Sequence, residues 1–156
     1  MSPRHLTTPF GDVATVLAPL RERYGDRVSV VQAVREQHAR GEGLATSLAP
    51  DVVVWPLDKQ EVCAILALCN AHRVPVIPFG AGSSLEGHVS APHGGVCIDM
   101  SRMDAVLSIN PEDSDCVVQP GITRESLNSH LRGTGLFFPV DPGANATIGG
   151  MVSTRA

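Results

Sequence analysis

The chain has 156 residues, of which 43% are hydrophobic and 18% charged, and its formal net charge at pH 7 is −4. These values are typical of a globular domain with one core, and they exclude a disordered chain. The mild acidity and the scattered basic residues argue against nucleic-acid binding. No apolar run approaches the length of a transmembrane helix.

The N-terminus and the cysteines indicate a reducing compartment. Residues 1–10 lack the apolar segment of a secretory signal peptide. We therefore expect a cytoplasmic protein; peripheral contact with a membrane and a mitochondrial location stay open. The cysteines match no zinc spacing, so we expect all four in the core: Cys63, Cys69, Cys97 and Cys116. The histidines are scattered, and we expect no metal site.

Two helices are predicted before residue 41. The first runs from Asp12, a capping residue, to Tyr24, and Gly25 ends it. Its apolar face is formed by Val13, Val16, Leu17 and Leu20. Pro19 predicts a kink or a late start. The second helix is predicted over residues 30–40, and residues 43–50 form a connector.

The next segment has the pattern strand, helix, strand. Residues 52–55 form a continuous apolar strand of the type buried on both faces. Asp58 and Glu61 have the spacing of a helix capping box. The helix carries an apolar stripe of Val62, Ile65, Leu66 and Cys69. Residues 74–77 form the second strand, and a right-handed parallel crossover is the favoured connection.

A loop of small residues, 78–87, follows this second strand. Gly80 and Gly82 permit a close approach to the backbone, and Ser83 and Ser84 add hydroxyl donors. Successive free amides in such a loop can bind a phosphate. An ordinary Gly/Ser turn is the alternative. Because the loop leaves the carboxyl end of a parallel strand, where open α/β sheets bind ligands, a ligand site is favoured.

The remaining sequence predicts antiparallel strands and a short helix. Residues 95–100 form a strand, and residues 106–109 and 116–119 form a hairpin. Thr123 caps a helix that carries Leu127 and Leu131 and ends near Gly133 or Gly135. The last segment, 137–156, is apolar and then glycine-rich.

Two common nucleotide-binding modes are excluded. A P-loop requires a lysine after its last glycine, and the one lysine of the chain, Lys59, is distant from the loop. A Rossmann motif requires a helix after the glycines, but Leu85 stands at the third glycine position and Pro92 soon follows. A second small-residue segment, 141–154, offers Thr147, Ser153 and Thr154 as neutral donors. Two such segments suit a long ligand.

Three motifs in order carry a resemblance to a known family. They are the loop at 78–87, the sequence Val118-Gln119-Pro120-Gly121-Ile122, and the segment 139–154. Together they resemble the FAD-linked oxidases with a flavin domain of the PCMH or vanillyl-alcohol-oxidase type. The similarity is greatest to the D-lactate dehydrogenase and glycolate oxidase FAD-subunit branch, and it extends from about residue 30 to the C-terminus.

The resemblance implies an α+β fold, in which a βαβ subdomain precedes a mostly antiparallel subdomain. It also implies an N-terminal helical segment (1–49) before an incomplete flavin domain (50–156). The cofactor would be FAD, with its diphosphate on the amides of residues 80–84. The residues expected to contact FAD are Phe79, Gly80, Ala81, Gly82, Ser83, Ser84, Pro142, Gly143, Thr147, Gly149, Gly150, Ser153 and Thr154.

The implied activity is hydride transfer from a 2-hydroxy acid, such as D-lactate or glycolate, to flavin N5. Relatives with covalent flavin have a histidine at the position of Ser83, so we expect FAD without a covalent bond. No catalytic residue is assigned, and Asp99, Asp141 and His130 are interpreted as capping or turn residues. The chain is expected to be the N-terminal piece of a longer protein, because the resemblance implies further flavin contacts and a substrate domain after Ala156. Arg155 also departs from the family pattern, which has a small or amide residue at this position.

Three other functions stay open at this point. The chain could be a residual flavin-binding fragment that is inactive without a C-terminal part or a partner chain. It could also be a flavin reductase of the UDP-acetylmuramate type, although that branch lacks the Leu85-Glu86-Gly87 extension. The third alternative is a structural α/β module without a ligand. The electron acceptor and the oligomeric state do not follow from the sequence.

Overall fold

A computed structural model describes residues 9–41 and 48–156. Most of the predicted connector, and the N-terminal segment up to residue 8, lie outside these ranges. The helices are α1 (Ala14–Tyr24), α2 (Gln32–Gln37), α3 (Lys59–Ala71), α4 (Arg124–His130) and α5 (Ile148–Thr154). The strands are β1 (Val28–Ser29), β2 (Val52–Val54), β3 (Val76–Phe79), β4 (Val96–Asp99), β5 (Val106–Asn110) and β6 (Asp115–Val118).

The strands form two sheets. The first has the order β1-β2-β4-β3, with β2, β4 and β3 parallel and β1 antiparallel to β2. Strand β4 therefore lies between the two strands of the predicted crossover. The second sheet is the antiparallel hairpin of β5 and β6. The α+β fold that we expected is confirmed, with a βαβ unit followed by antiparallel structure.

The first core lies between the four-stranded sheet and helices α1 and α3. The helices contribute Val16, Leu20, Tyr24, Ile65 and Cys69, and the sheet contributes Val52, Val54, Val96 and Ile98. Val53 and Cys97 on the opposite face are also fully buried. These strands are therefore covered on both faces, as their continuous apolar sequence predicted. Residues before position 50 share this core with the later ones.

Two of the predicted helix caps are present, whereas α1 has Val13 and not Asp12 at its N-cap position. Asp58 accepts a hydrogen bond from the Glu61 amide at 2.8 Å, and Thr123 accepts one from the Ser126 amide at 3.2 Å. The Glu61 carboxylate accepts a hydrogen bond from the Leu57 amide, and not from the amide of the cap residue as in a capping box. Helix α1 begins before Pro19 and continues through it, so a late start is excluded.

Several local predictions are wrong. Helix α2 is shorter than predicted, and β1 and α5 were not predicted. Leu66 is 43% exposed, and Leu68 packs on the core instead. Cys63 is exposed and Cys116 is half-buried, so only Cys69 and Cys97 are core cysteines. Cys63 lies on the outer side of α3, where residues one position removed from the buried stripe face solvent.

The second core connects the hairpin to helices α4 and α5. Its buried residues are Ile122, Leu127 and Leu131, and it is extended by Val106, Ile109, Cys116, Val118, Phe138 and Ile148. No helix in the described residues is long and apolar enough to cross a membrane.

Candidate functional site

The small-residue loop begins where β3 ends, at the carboxyl edge of the parallel strands. Phe79 pairs in register with Asp99, the last residue of β4. Gly82 has a φ of +70°, a conformation that side chains with a Cβ atom disfavour. In the described part of the chain, the backbone amides of residues 81–84 donate no hydrogen bond. The loop therefore offers successive free N–H groups, as an anion site requires.

Gly80 joins this loop to the second predicted segment. A Cβ atom on Gly80 would overlap the Thr147 hydroxyl, so the two backbones approach each other closely because residue 80 has no side chain. Thr147 is 4% exposed and caps α5 through a hydrogen bond from the Gly150 amide. The structure thus brings the first and third motifs into contact.

The middle motif completes this junction. The Gly121 amide donates to the Met103 carbonyl at 2.8 Å, and a Cβ atom on Gly121 would overlap the Met100 carbonyl. On the other side, the Ile148 amide donates to the Ile122 carbonyl at 2.9 Å. The Val118–Ile122 motif therefore connects the turn after β4 to the start of α5.

A cavity of about 230 Å³ opens between the sheet edge and the second core. Its lining is mostly small or hydroxyl-bearing: Gly80, Ala81, Ser101, Asp104, Gly121, Thr123, Ser126 and Thr147. The cavity is smaller than typical small-molecule pockets of about 300–1,000 Å³. Since it holds a carboxylate and no basic side chain, its chemistry suits a neutral, hydroxyl-rich group better than a second anion.

The predicted contact residues do not all lie at this cavity. Gly80, Ala81 and Thr147 line it, and Gly82, Ser83 and Ser84 continue the loop beside it. Ser84 shares a hydrogen bond of 2.7 Å with His88 Nδ1. Pro142 and Gly143 are exposed in a separate turn, where Asp141 accepts from the Gly143 amide and from Arg124.

Helix α5 uses most of its polar groups internally. Ser153 donates to the Gly149 carbonyl at 2.8 Å, and Thr154 donates to the Gly150 carbonyl at 3.0 Å. A Cβ atom on Gly149 would lie 2.6 Å from the Pro120 Cβ, so this glycine permits helix packing. Ser153 and Thr154 are exposed, and in this arrangement their hydroxyl oxygens offer lone pairs rather than protons.

A buried polar cluster beside the loop was missed by the sequence analysis. His38 and Asp99 are each 5% exposed, and His38 Nε2 lies 2.9 Å from Asp99 Oδ2. The Trp55 indole also donates to this oxygen, at 2.7 Å. Asp99 accepts from the Ser101 amide as well, so its predicted capping role is confirmed and is one of three contacts. Nothing in sequence spacing links His38 to Asp99.

The cluster stabilises the charged forms of both partners. Burial opposes charge on His38, but hydrogen bonds to Asp99 and to the Val34 carbonyl outweigh it, and the pKa of His38 lies above its ordinary value. Burial likewise opposes ionisation of Asp99, yet the hydrogen bonds from His38 and Ser101 lower the pKa of Asp99. Neighbouring Cys97 is neutral, because burial raises its pKa to about 12.

The family match and the similar proteins agree with the family resemblance that the sequence motifs carry. The profile of a family described as "FAD binding domain" matches residues 50–156. A Danio rerio protein named "Probable D-lactate dehydrogenase, mitochondrial" is 48% identical over 99% of this chain and 31% of its own length. "Glycolate oxidase subunit GlcD" of Bacillus subtilis is 35% identical over 69% of this chain and 23% of its own length.

A solved structure of alkyldihydroxyacetonephosphate synthase has a similar fold. The TM-score is 0.85 at 26% sequence identity, over 96% of this chain and 33% of that one. This chain thus spans about a third of the length of the Danio rerio relative and of this solved structure.

Proposed function

Since the chain belongs to the FAD-binding-domain family, we propose that it binds FAD non-covalently and forms the flavin-binding portion of a 2-hydroxy-acid dehydrogenase. One observation carries the proposal: the free amides of residues 81–84 lie beside a cavity that Gly80 and Thr147 line together. Loop amides bind a phosphate without a basic side chain. The diphosphate belongs at these amides.

The two parts of the site differ in charge preference. The loop presents N–H groups and the Ser83 hydroxyl, which favour an anion. The cavity presents Asp104 and several hydroxyl groups, which favour sugar hydroxyls over phosphate. A diphosphate held at the loop with a neutral nucleoside part in the cavity satisfies both preferences.

The second small-residue segment, 141–154, contributes Thr147 to the lining of the cavity. We propose that Gly149, Gly150, Ser153 and Thr154 border the flavin arm through the exposed side of α5, and that Pro142 and Gly143 approach it from the neighbouring turn. FAD, when bound, supplies the hydride acceptor. The residues of this chain bind and orient it, and we assign none of them a role at the reacting carbon.

The proposed activity is inferred from the names of the relatives. The names of two of them specify D-lactate and glycolate, and both substrates are 2-hydroxy acids. We propose that the protein oxidises such an acid when the remainder of the flavin domain and a substrate domain are present. We also propose that the flavin domain begins at residue 50, after the N-terminal helical segment. We also propose a mitochondrial location, because the name of the Danio rerio relative specifies it.

Spectroscopy tests this proposal. The protein expressed from its complete reading frame should be yellow, and anaerobic D-lactate or glycolate should bleach its flavin absorbance. Acid precipitation should leave all flavin in the supernatant, because Ser83 offers no imidazole for a covalent bond. A colourless protein that takes up no FAD would contradict the cofactor, flavin in the acid pellet would contradict non-covalent binding, and persistent absorbance with both acids would contradict the substrate class.

A further inference from the structure

The buried pair of His38 and Asp99 has a protonation state that its neighbours determine. His38 Nδ1 lies 2.7 Å from the Val34 carbonyl, an acceptor that requires a proton on Nδ1. Nε2 faces Asp99 Oδ2, which also accepts from the Trp55 indole. The Trp55 indole and the Ser101 amide both donate to Asp99 and favour its carboxylate form. A carboxylate can only accept, so Nε2 must carry a proton as well as Nδ1, and His38 is an imidazolium.

This imidazolium lies against the residue that begins the small-residue loop. The ring centroids of His38 and Phe79 are 4.6 Å apart, within the range of a cation–π contact. A Cβ atom on Gly82 would lie 3.1 Å from Phe79 Cζ, so the glycine turn packs against the same ring. Phe79 therefore contacts both His38 and Gly82.

The segment that follows His38 contacts the same loop. A Cβ atom on Gly41 would lie 3.5 Å from the Ser84 carbonyl, and one on Gly82 would lie 3.4 Å from the Arg40 carbonyl. The backbone of Arg40 and Gly41 therefore packs against residues 82–84. The orientation of the free amides depends on this packing and on the Phe79 ring.

We propose that His38 is a positioning residue for FAD: its imidazolium, ion-paired with Asp99, supports Phe79 and thereby holds the glycine turn that receives the diphosphate. The inference rests on the proposed function. We assign His38 no contact with the cofactor, because its contact with this loop is through the Phe79 ring. Its effect on FAD acts through loop geometry and through charge.

The charge effect has a definite sign. Among the described residues, the charged group that contacts His38 is Asp99. The Phe79 and Trp55 rings that also contact His38 are uncharged. The Arg102 Cζ atom lies 5.4 Å from the centroid of the Trp55 ring. Nearby Cys97 is neutral, and Arg40 is exposed. Loss of the His38 proton leaves Asp99 as an uncompensated buried carboxylate, which repels a diphosphate. FAD affinity should fall as pH rises through the pKa of His38.

The test measures the dissociation constant for FAD by flavin fluorescence, in wild type and in His38→Gln, from pH 6 to pH 9. Glutamine retains a donor toward Asp99 but carries no charge. We expect about tenfold weaker binding at pH 6, the scale of a desolvated cation–π contact, and a smaller difference at high pH. In wild type, imidazole nitrogen NMR should show both His38 nitrogens protonated at neutral pH.

Controls separate His38 from the other histidines. His130→Gln on the exposed end of α4 should retain wild-type affinity, and His88→Gln should retain the decline with pH. Phe79→Leu keeps the ion pair and removes the ring, so the imidazolium signal should persist while FAD affinity falls. This variant tests the ring alone, because Phe79 is itself expected to contact FAD. If His38→Gln does not fold by circular dichroism, the fall of wild-type FAD affinity with pH tests His38, and an affinity that does not change with pH would overturn the inference.

The outcomes distinguish two failures. If wild type binds FAD and either His38→Gln or Phe79→Leu binds it equally well, the positioning role is wrong and the proposed function stands. If wild type shows His38 as neutral imidazole while it binds FAD, the inference is also overturned. If wild type binds no FAD at any pH, the proposed function and this inference fall together.

Discussion

Gly80 lies against the Thr147 hydroxyl at a spacing that leaves no room for a side chain on residue 80. This contact joins the loop after β3 to the first turn of α5. It also places both residues on one wall of the cavity. The candidate FAD site is therefore a junction between two parts of the fold rather than a property of one loop.

Gly80→Ala should break this junction. The added methyl group must displace Thr147, and overpacking of this type costs about 1–3 kcal/mol. We expect a loss of unfolding free energy in that range by urea denaturation, together with weaker FAD binding. In a Thr147→Ala background the same substitution should cost less, because the overlapping oxygen is gone. Equal costs in the two backgrounds would show that the contact has no energetic consequence.

Gly82→Val should abolish FAD binding. Its φ of +70° is unfavourable for a β-branched residue, and the new side chain would meet the Phe79 ring and cover the free amides. Gly135→Val is the matched control, since Gly135 has a φ of +80° and no atom near its Cβ position. Both variants should lose stability, and only the first should lose FAD at a temperature where both are folded. Unchanged flavin content in Gly82→Val would refute the diphosphate assignment.

The His38–Asp99 pair predicts how stability depends on pH. The pKa of His38 is raised, so its contribution is fully present below its ordinary value of 6.5 and is lost as pH rises through the raised value. The pKa of Asp99 is lowered, so its contribution is present above its ordinary value of 3.8 and is lost as pH falls through the lowered value. The free energy of unfolding of wild type should exceed that of a variant without the pair by the largest amount between these two pH limits.

Asp99→Asn tests this dependence. It leaves the imidazolium without its carboxylate, and breaking a buried pair in this way costs about 3–5 kcal/mol. Urea denaturation of both proteins at several pH values should show the largest difference between about pH 4 and pH 6.5. A difference that does not vary with pH would indicate that the pair is uncharged in the folded protein.

The sequence predicted the parts of the site that depend on local patterns. The apolar run of β2, the Asp58 cap and the position of the loop after β3 follow from neighbouring residues, and all are present in the structure. The family was also identified from the order of three motifs, and this prediction is confirmed. Local chemistry was sufficient for the strand, the cap and the loop because the residues that specify each of them are neighbours in the chain.

The remainder depends on contacts between distant residues. Helix α5 carries Gly149 and Gly150, which lower helix propensity, and it forms because Thr147 caps it and Gly149 packs on Pro120. His38 and Asp99 are 61 residues apart, and only the fold brings them together. The exposure of Cys63 and Leu66 follows from the angle at which α3 packs, which a helical pattern fixes only approximately.

The most direct test of the central claim is a backbone amide NMR map of FAD binding to this 156-residue chain. Affinity in the chain alone should be weak, and NMR detects weak binding. On addition of FAD, the largest shifts should occur at Gly80, Ala81, Gly82, Ser83 and Ser84, with a second group at Thr147 and the residues around the cavity. Shifts confined to other regions, or no shifts at saturating FAD, would contradict the assignment of this loop as the diphosphate site.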